Sequence, residues 1–255
     1  MTDNTPAFSP PAVIVTGGGT GIGRATARAF AESGSRVLIV GRTESSLNDL
    51  AKEHDGILPL VADITRPDAP RSIVDTALRE FGGIDVLVNN AAALGFHHLA
   101  DVDSTSVHRQ LDTNLVAPIL LTSCALDALE ESKGTVVNLS TAGSIGLRSW
   151  PGNGVYGAAK VGIDFLTRTW GVELAPRGIR VVGVAPGVVD TRSGPRMGMS
   201  EEQYEAFLEH ISGQAPAGRV GTPEEIAWWI TQLTRPEAQY LTGVVVPVDG
   251  GLSLT

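Results

Sequence analysis

Seven short apolar runs alternate along the chain with stretches of helical period, and that alternation leaves little choice of architecture. The runs cover residues 13–15, 37–40, 57–61, 85–88, 135–139, 180–184 and 244–248. Most are continuously apolar, as strands are when both faces of their sheet are covered. Between and after them, residues 22–33, 43–54, 70–81, 104 to about 129, 154–174, 201–211 and 224–233 read as helices. Gly34 closes the first helix. Pro59 interrupts the third run and assigns it to a sheet edge, and Pro118 implies a kink in the longest helix. The expectation is an α/β fold with one doubly wound parallel sheet of about seven strands and helices on both faces. There is no central linker and no repeat, so residues 12–255 read as a single domain. Residues 1–11, rich in Pro, Ser and Thr, read as a flexible lead-in without the basic and apolar regions of a signal peptide.

A chain of 255 residues, 42% hydrophobic and 18% charged, can bury a sizeable core as one domain. The net charge of −9 argues against a nucleic-acid partner. Cys124 is the only cysteine, which excludes an internal disulfide and fits a reducing cytoplasm. No apolar run reaches the roughly 20 residues that span a membrane.

The turn after the first strand is Thr16-Gly17-Gly18-Gly19-Thr20-Gly21-Ile22-Gly23. Glycines between a strand and a helix let the backbone approach a pyrophosphate, and the helix N-terminus supplies free N–H groups and a positive dipole end. The second strand runs into Gly41-Arg42-Thr43 with no acidic residue. An acid there would hold a ribose 2′-hydroxyl, whereas an arginine accommodates a 2′-phosphate, so NADP(H) is favoured over NAD(H). Arg42 also reads, more simply, as a solvated loop charge.

Tyr156 and Lys160 lie one turn apart on a helix face. An ammonium beside a phenol eases its ionisation and makes the tyrosine a proton donor or acceptor. The same spacing also suits an exposed lysine beside a tyrosine packed on the core. His97 and His98 are adjacent and lack a cysteine or acidic cluster, so no catalytic metal is expected.

By Asn89-Asn90-Ala91-Ala92 the chain resembles the short-chain dehydrogenase/reductase family. The glycine turn from Thr16 to Gly23, the Tyr156/Lys160 spacing, Pro186-Gly187 with Thr191, and Asp249-Gly250-Gly251 follow in the family's order, from about residue 13 to 252. The segment from Arg219 to Ala227 resembles the 3-oxoacyl-carrier-protein reductase-like branch. The resemblance implies a Rossmann-like domain and a set of roles. Tyr156 would be the general acid or base, and Lys160 would tune it and hold the nicotinamide ribose. Asn114 would support a relay water. Gly17, Gly19, Thr20, Gly21 and Ile22 would cradle the cofactor, Asp63 and Ile64 would meet the adenine, and Asn90 and Ala91 would floor the site. Pro186 and Gly187 would border the nicotinamide, with Thr191 on its carboxamide and Val189 near its ring. Asp63 and Thr191 also suit ordinary turn capping.

The substrate-oxygen donor departs from the family's spacing. Counting forward from Asn138 gives Thr141, whereas residue type favours Ser140, with Ser144 third, and the choice stays open. Gly183 stands where the family often has Asn. Residues 95–98, 148–150 and 191–211 would surround the substrate, with Tyr204 and Phe207 packing a short helix or lining a lid. Arg192 and Arg196 are candidates for an anionic substrate, and Trp228-Trp229 is expected to bury one ring and expose the other.

The functional expectation is hydride transfer between NADP(H) and a carbonyl or secondary alcohol. The alternatives are an NAD-linked dehydrogenase of alcohols, sugars or steroids, and a non-catalytic nucleotide sensor. A homotetramer or homodimer is implied by the resemblance.

Overall fold

The computed structural model of the chain describes residues 10–145, 150–196 and 198–255. Most of the expected lead-in (residues 1–9), Arg148, Ser149 and Met197 lie outside the described residues, as does the Arg196 side chain. Pro10 and Pro11 are pinned: the Arg36 guanidinium donates to the Pro10 carbonyl, and the Arg36 N–H donates to that of Pro11.

The strands are β1 (Ala12–Thr16), β2 (Arg36–Gly41), β3 (Ile57–Val61), β4 (Val86–Asn89), β5 (Thr135–Leu139), β6 (Arg180–Pro186) and β7 (Val244–Val248). All pair in parallel, in the order β3-β2-β1-β4-β5-β6-β7. β3, interrupted by Pro59, is one edge. The order reverses between β1 and β4, and a crevice opens beyond the strand ends at such a point.

Successive side chains of a strand point to opposite faces, so each strand feeds two cores. Val13 and Val15 pack with Ile39, Val137 and Val184 beneath α1 (Gly21–Glu32), α2 (Glu44–Glu53) and α10 (Pro223–Thr234). Ile14, Leu38, Leu87 and Val136 pack on the other face against α3 (Ala69–Phe81) and α5 (Ala117–Ser132).

The expected long helix is interrupted. It runs as α4 (Ser104–Leu111), a π-helical turn (Asp112–Val116) and then α5. Pro118 has no N–H for the carbonyl four residues back, that of Asn114, and the helix absorbs the defect as a wider turn. The loop after β5 contains a short helix, α6 (Ala142–Ile145), and the next helix is α7 (Gly154–Glu173). α8 (Ser193–Arg196) and α9 (Glu201–Gln214) follow β6. The expectation for the tryptophan pair is corrected: Trp228 is 54% and Trp229 39% exposed, in a T-shaped contact. Helix α10 turns Ile226, Ala227 and Ile230 inward, and both indoles fall off that stripe.

Inside the sheet, Asn89 Nδ2 donates to Thr122 Oγ1 and Asn138 Oδ1, at 3.1 and 2.9 Å. Asn138 Nδ2 donates to Thr167 Oγ1 at 3.0 Å. This buried chain ties β4 and β5 to α5 and α7. Asn138→Ala leaves the Asn89 amide short of an acceptor and opens a void, so it is expected to cost on the order of 2–3 kcal/mol in urea unfolding. A loss below about 0.5 kcal/mol, the size of a neutral surface change, would contradict this account.

Candidate active site

The glycine turn is the first wall of the crevice. Gly17 and Gly21 have φ of 67° and 51°, a region that favours glycine. A Cβ on Gly23 would run into the Gly17 carbonyl, and one on Gly17 would meet Asn90 and Ala91 at 2.9 Å. Thr16 Oγ1 accepts from the N–H groups of Asn90 and Ala91, while Asn90 Nδ2 donates to the Thr16 carbonyl. The turn is therefore welded to the end of β4. A Cβ on Gly21 would touch Thr191, so the segment after β6 closes over the same turn.

Thr20 is the exposed N-cap of α1 and makes no side-chain capping bond, and the first helical turn carries no acid. Gly19 packs near Ser46, and Ile22 leans on the core beneath α1. A bare helix N-terminus beside a cradle that a Cβ would fill fits a dinucleotide pyrophosphate. Arg42 is exposed at the end of β2. Its charge reaches Asp63, whose carboxyl is held below the ordinary range first by the Thr65 N–H, with Arg42 and Arg66 adding to it. Asp63 accepts from Thr65 N and Oγ1, the turn-capping arrangement, and Ile64 packs at the core edge.

Pro186 ends β6, and Gly187 N–H donates to the Val248 carbonyl. Val189 bridges to Gly221 and packs against the core. Asn114 lies in the π-helical turn, 1% exposed. Its Oδ1 accepts from Ala93 N–H, and its Nδ2 donates to the carbonyls of Ala93 and Gln110. The side chain thus holds the loop that follows Asn90.

Tyr156 and Lys160 sit at the start of α7. Lys160 is buried, and its Nζ donates to the Leu139 carbonyl at 2.6 Å and lies 5.7 Å from the Tyr156 ring centroid. Burial pushes the Lys160 ammonium down to about 8. The expectation that Lys160 eases ionisation of Tyr156 is corrected here: desolvation pushes the phenol up to about 12. The ammonium, 5.7 Å from the ring centroid, is directed at a backbone carbonyl, and desolvation of the phenol outweighs its charge.

The three candidate hydroxyls separate. Ser140 is buried, and its Oγ lies 2.9 Å from Ser144 Oγ. Ser144 is also buried, and its Oγ lies 2.6 Å from both Asp164 Oδ2 and the Thr141 carbonyl. Thr141 is only partly buried and lines a cavity of about 30 Å³ with Ala142, Trp150, Gly187, Val188 and Leu252. Asp164 went unsingled in the sequence. The available signal was an acid one turn beyond Lys160 in an otherwise apolar helical stretch.

Arg192, Tyr204 and Phe207 take structural places. Arg192 is paired with Glu201 at 3.2 Å, which weakens it as a receptor for an anion. Tyr204 is buried and donates to Asp190 Oδ1, and Phe207 packs beside Ile211 and Ala215. Among the described residues no group of three His, Cys, Asp or Glu side chains could hold a metal, and no helix is long and apolar enough to cross a membrane. A larger cavity, about 440 Å³, lies between Arg219, Glu225, Trp228 and Asp249 and is lined by none of the residues expected to act in catalysis or hold the cofactor.

Residues 17–253 match the family model described as enoyl-(acyl carrier protein) reductase. The chain belongs to the short-chain dehydrogenase/reductase family. As a member it is an NAD(P)-dependent oxidoreductase acting on the CH–OH/C=O pair. It is 34% identical to a 3-oxoacyl-[acyl-carrier-protein] reductase of Thermotoga maritima over 94% of this chain and 96% of that one. It is 36% identical to the protein of that name in Chlamydia muridarum, over 95% and 97%. An L-fucose dehydrogenase of Bos taurus is 34% identical over 97% and 91%. The crystal structure, with cofactor, of a Caenorhabditis elegans short-chain dehydrogenase/reductase of unknown function superposes with a TM-score of 0.90 at 34% identity, covering 98% and 97%.

The buried lysine of this enzyme gives a signed prediction. Between about pH 8 and 10.5 the unfolded chain holds the Lys160 proton and the folded chain does not, so unfolding free energy gains with pH across that window. The stability of wild type relative to Lys160→Met is expected to rise by on the order of 2 kcal/mol over it, measured by urea unfolding. A flat or falling difference would contradict the depressed ammonium.

Proposed function

We propose that this enzyme uses NADPH to reduce a ketone to a secondary alcohol, with Tyr156 as the proton donor. The observation that carries the reading is the bond from buried Lys160 to the Leu139 carbonyl, which brings the helix turn bearing Tyr156 against the end of β5 and its hydroxyl residues. Bound cofactor supplies the hydride. Tyr156 keeps its proton through the neutral range and gives it from Oη to the substrate oxygen as that oxygen gains charge. Lys160, cationic below about pH 8, offsets the tyrosinate left behind. Thr141 Oγ1 donates to the same oxygen, because Ser140 is spent on Ser144. Asn114 positions the loop after Asn90, and Thr191 closes the nicotinamide side.

NADP(H) is preferred because Arg42 follows β2 where an acid would take a ribose hydroxyl. A guanidinium meets a 2′-phosphate bidentately. The relatives named 3-oxoacyl-[acyl-carrier-protein] reductase support a β-ketoacyl thioester as one substrate to test. The second reading, an NAD-linked sugar dehydrogenase, is supported by the L-fucose dehydrogenase of Bos taurus.

NADPH oxidation across a panel of ketones and β-ketoacyl thioesters tests the reaction. Tyr156→Phe is expected to lower kcat by about 10²-fold or more; turnover that ignores the substitution would overturn its role. Arg42→Ala is expected to raise the KM for NADPH about tenfold and leave that for NADH nearly unchanged. An unaltered preference would remove Arg42 from the cofactor site.

The same reading includes a homotetramer or homodimer. Val161, Phe165 and Val172 on α7, with Val116 at the end of the π-helical turn and Leu120 on α5, leave large apolar side chains exposed, Phe165 by 67%. Single exposed apolar residues are ordinary, but a row along one helix marks an interface. Phe165→Asp is expected to shift the particle to a smaller species in sedimentation. An unchanged mass would exclude this face.

A further inference from the structure

Helix α7 carries a buried acid that the reaction above does not use. Asp164 is 3% exposed in the middle of the helix. Aspartate is a weak helix former and is almost never fully buried unless paired. Its Oδ2 lies 2.6 Å from Ser144 Oγ, and its Oδ1 is buried with no hydrogen-bond partner. Ser144 Oγ is also 2.6 Å from the Thr141 carbonyl and 2.9 Å from Ser140 Oγ.

Counting protons among these atoms restricts the arrangement. Ser144 Oγ has one proton, and two acceptors stand 2.6 Å away, the Thr141 carbonyl and Asp164 Oδ2. A carbonyl never donates, so both contacts are hydrogen bonds only if Asp164 brings a proton of its own. Asp164 Oδ2–H then donates to Ser144 Oγ, Ser144 donates to the Thr141 carbonyl, and Ser140 donates to the remaining lone pair of Ser144. An ionised Asp164 would claim the Ser144 proton and leave two bare oxygens facing each other. The partnerless Oδ1 fits the same state, since a lone carbonyl oxygen is far cheaper to bury than half of a carboxylate.

We infer that Asp164 is a positioning residue of the reaction, held as a neutral carboxylic acid that locks Ser144 and, through it, the backbone of Thr141. The inference rests on the proposed function, in which Thr141 Oγ1 meets the substrate oxygen. The surroundings agree with it. Burial raises the carboxyl above its ordinary range, and the hydroxyls of Ser140 and Ser144 only partly oppose that. The charged groups acting on Asp164 are Arg168 and Lys160, one turn to either side on α7, while β5's end and α6 bring only hydroxyls. Lys160 directs its ammonium to the Leu139 carbonyl instead. Two bonds from α7, Lys160 to Leu139 and Asp164 through Ser144 to Thr141, thus hold both sides of Ser140. When Asp164 loses its proton, the Ser144 hydroxyl turns to the carboxylate and the Thr141 carbonyl is released.

Infrared difference spectra of wild type against Asp164→Asn test the protonation directly. A carboxylic-acid carbonyl band at neutral pH, shifting down in D2O and present only in wild type, is expected; its absence would overturn the inference. In NADPH oxidation, Asp164→Ala is expected to lower kcat about tenfold with cofactor affinity unchanged, because a misplaced donor acts on the transition state. Asp164→Asn, whose Nδ2–H can still donate to Ser144, is expected to recover most of that loss. It also lacks the part of the alkaline decline that tracks loss of the infrared band in wild type, while the decline due to Lys160 remains in both. If Asp164→Ala keeps full kcat, or Asp164→Asn shows the wild-type alkaline profile, the positioning role is refuted. If Asp164→Ala does not fold, the Asn profile and the infrared band still decide. Should wild type reduce no carbonyl, the proposed function fails, and the infrared band alone still tells whether Asp164 is neutral.

Discussion

Burial of the parallel sheet on both faces is the constraint from which the rest follows. A strand covered above and below has nowhere to place polar chemistry except at its ends. The glycine turn after β1, Asn90 after β4, the hydroxyl residues after β5 and Pro186-Gly187 at the end of β6 all gather at one edge for that reason. A polar group left inside costs free energy unless another matches it. Asn89, Asn138, Thr122 and Thr167 form such a matched set, and they fasten α7 to the strands that carry the site.

The same low dielectric sets the chemistry of Tyr156 and Lys160. Burial drives the two groups in opposite senses, the phenol toward holding its proton and the ammonium toward losing it. A tyrosine that keeps its proton suits an acid delivering it to a carbonyl oxygen. A lysine near the threshold of neutrality makes its charge depend on pH just above the physiological range. Asp164 belongs to the same balance, since burial raises its carboxyl above the ordinary range while the hydroxyls of Ser140 and Ser144 and the charges of Arg168 and Lys160 oppose it.

Much of the fold was legible in the residues themselves. Apolar runs of strand length separated by helical period appear as the seven strands within one or two residues, with β3 at the edge that Pro59 requires. The π-helical turn was not legible. Pro118 announced a defect, but whether a helix kinks, breaks or widens depends on what packs around it. The tryptophan pair was misread because adjacent helix positions lie about 100° apart, and which of them faces inward depends on the docking angle of α10.

For the site, the sequence by itself determined the glycine turn, Arg42 after β2, and the pairing of Tyr156 with Lys160. Each rests on spacing within one element or across one turn, which the local backbone dictates. Only the tertiary structure decided how the hydroxyls divide. Ser140, Thr141 and Ser144 lie within one short stretch, and spacing alone could not separate them. Helix α7 draws Ser140 and Ser144 toward Asp164 and leaves Thr141 on the cavity side. The physical reason is that which hydroxyl stays uncommitted depends on the partners that have claimed its neighbours, and those partners come from a helix twenty residues away along the chain.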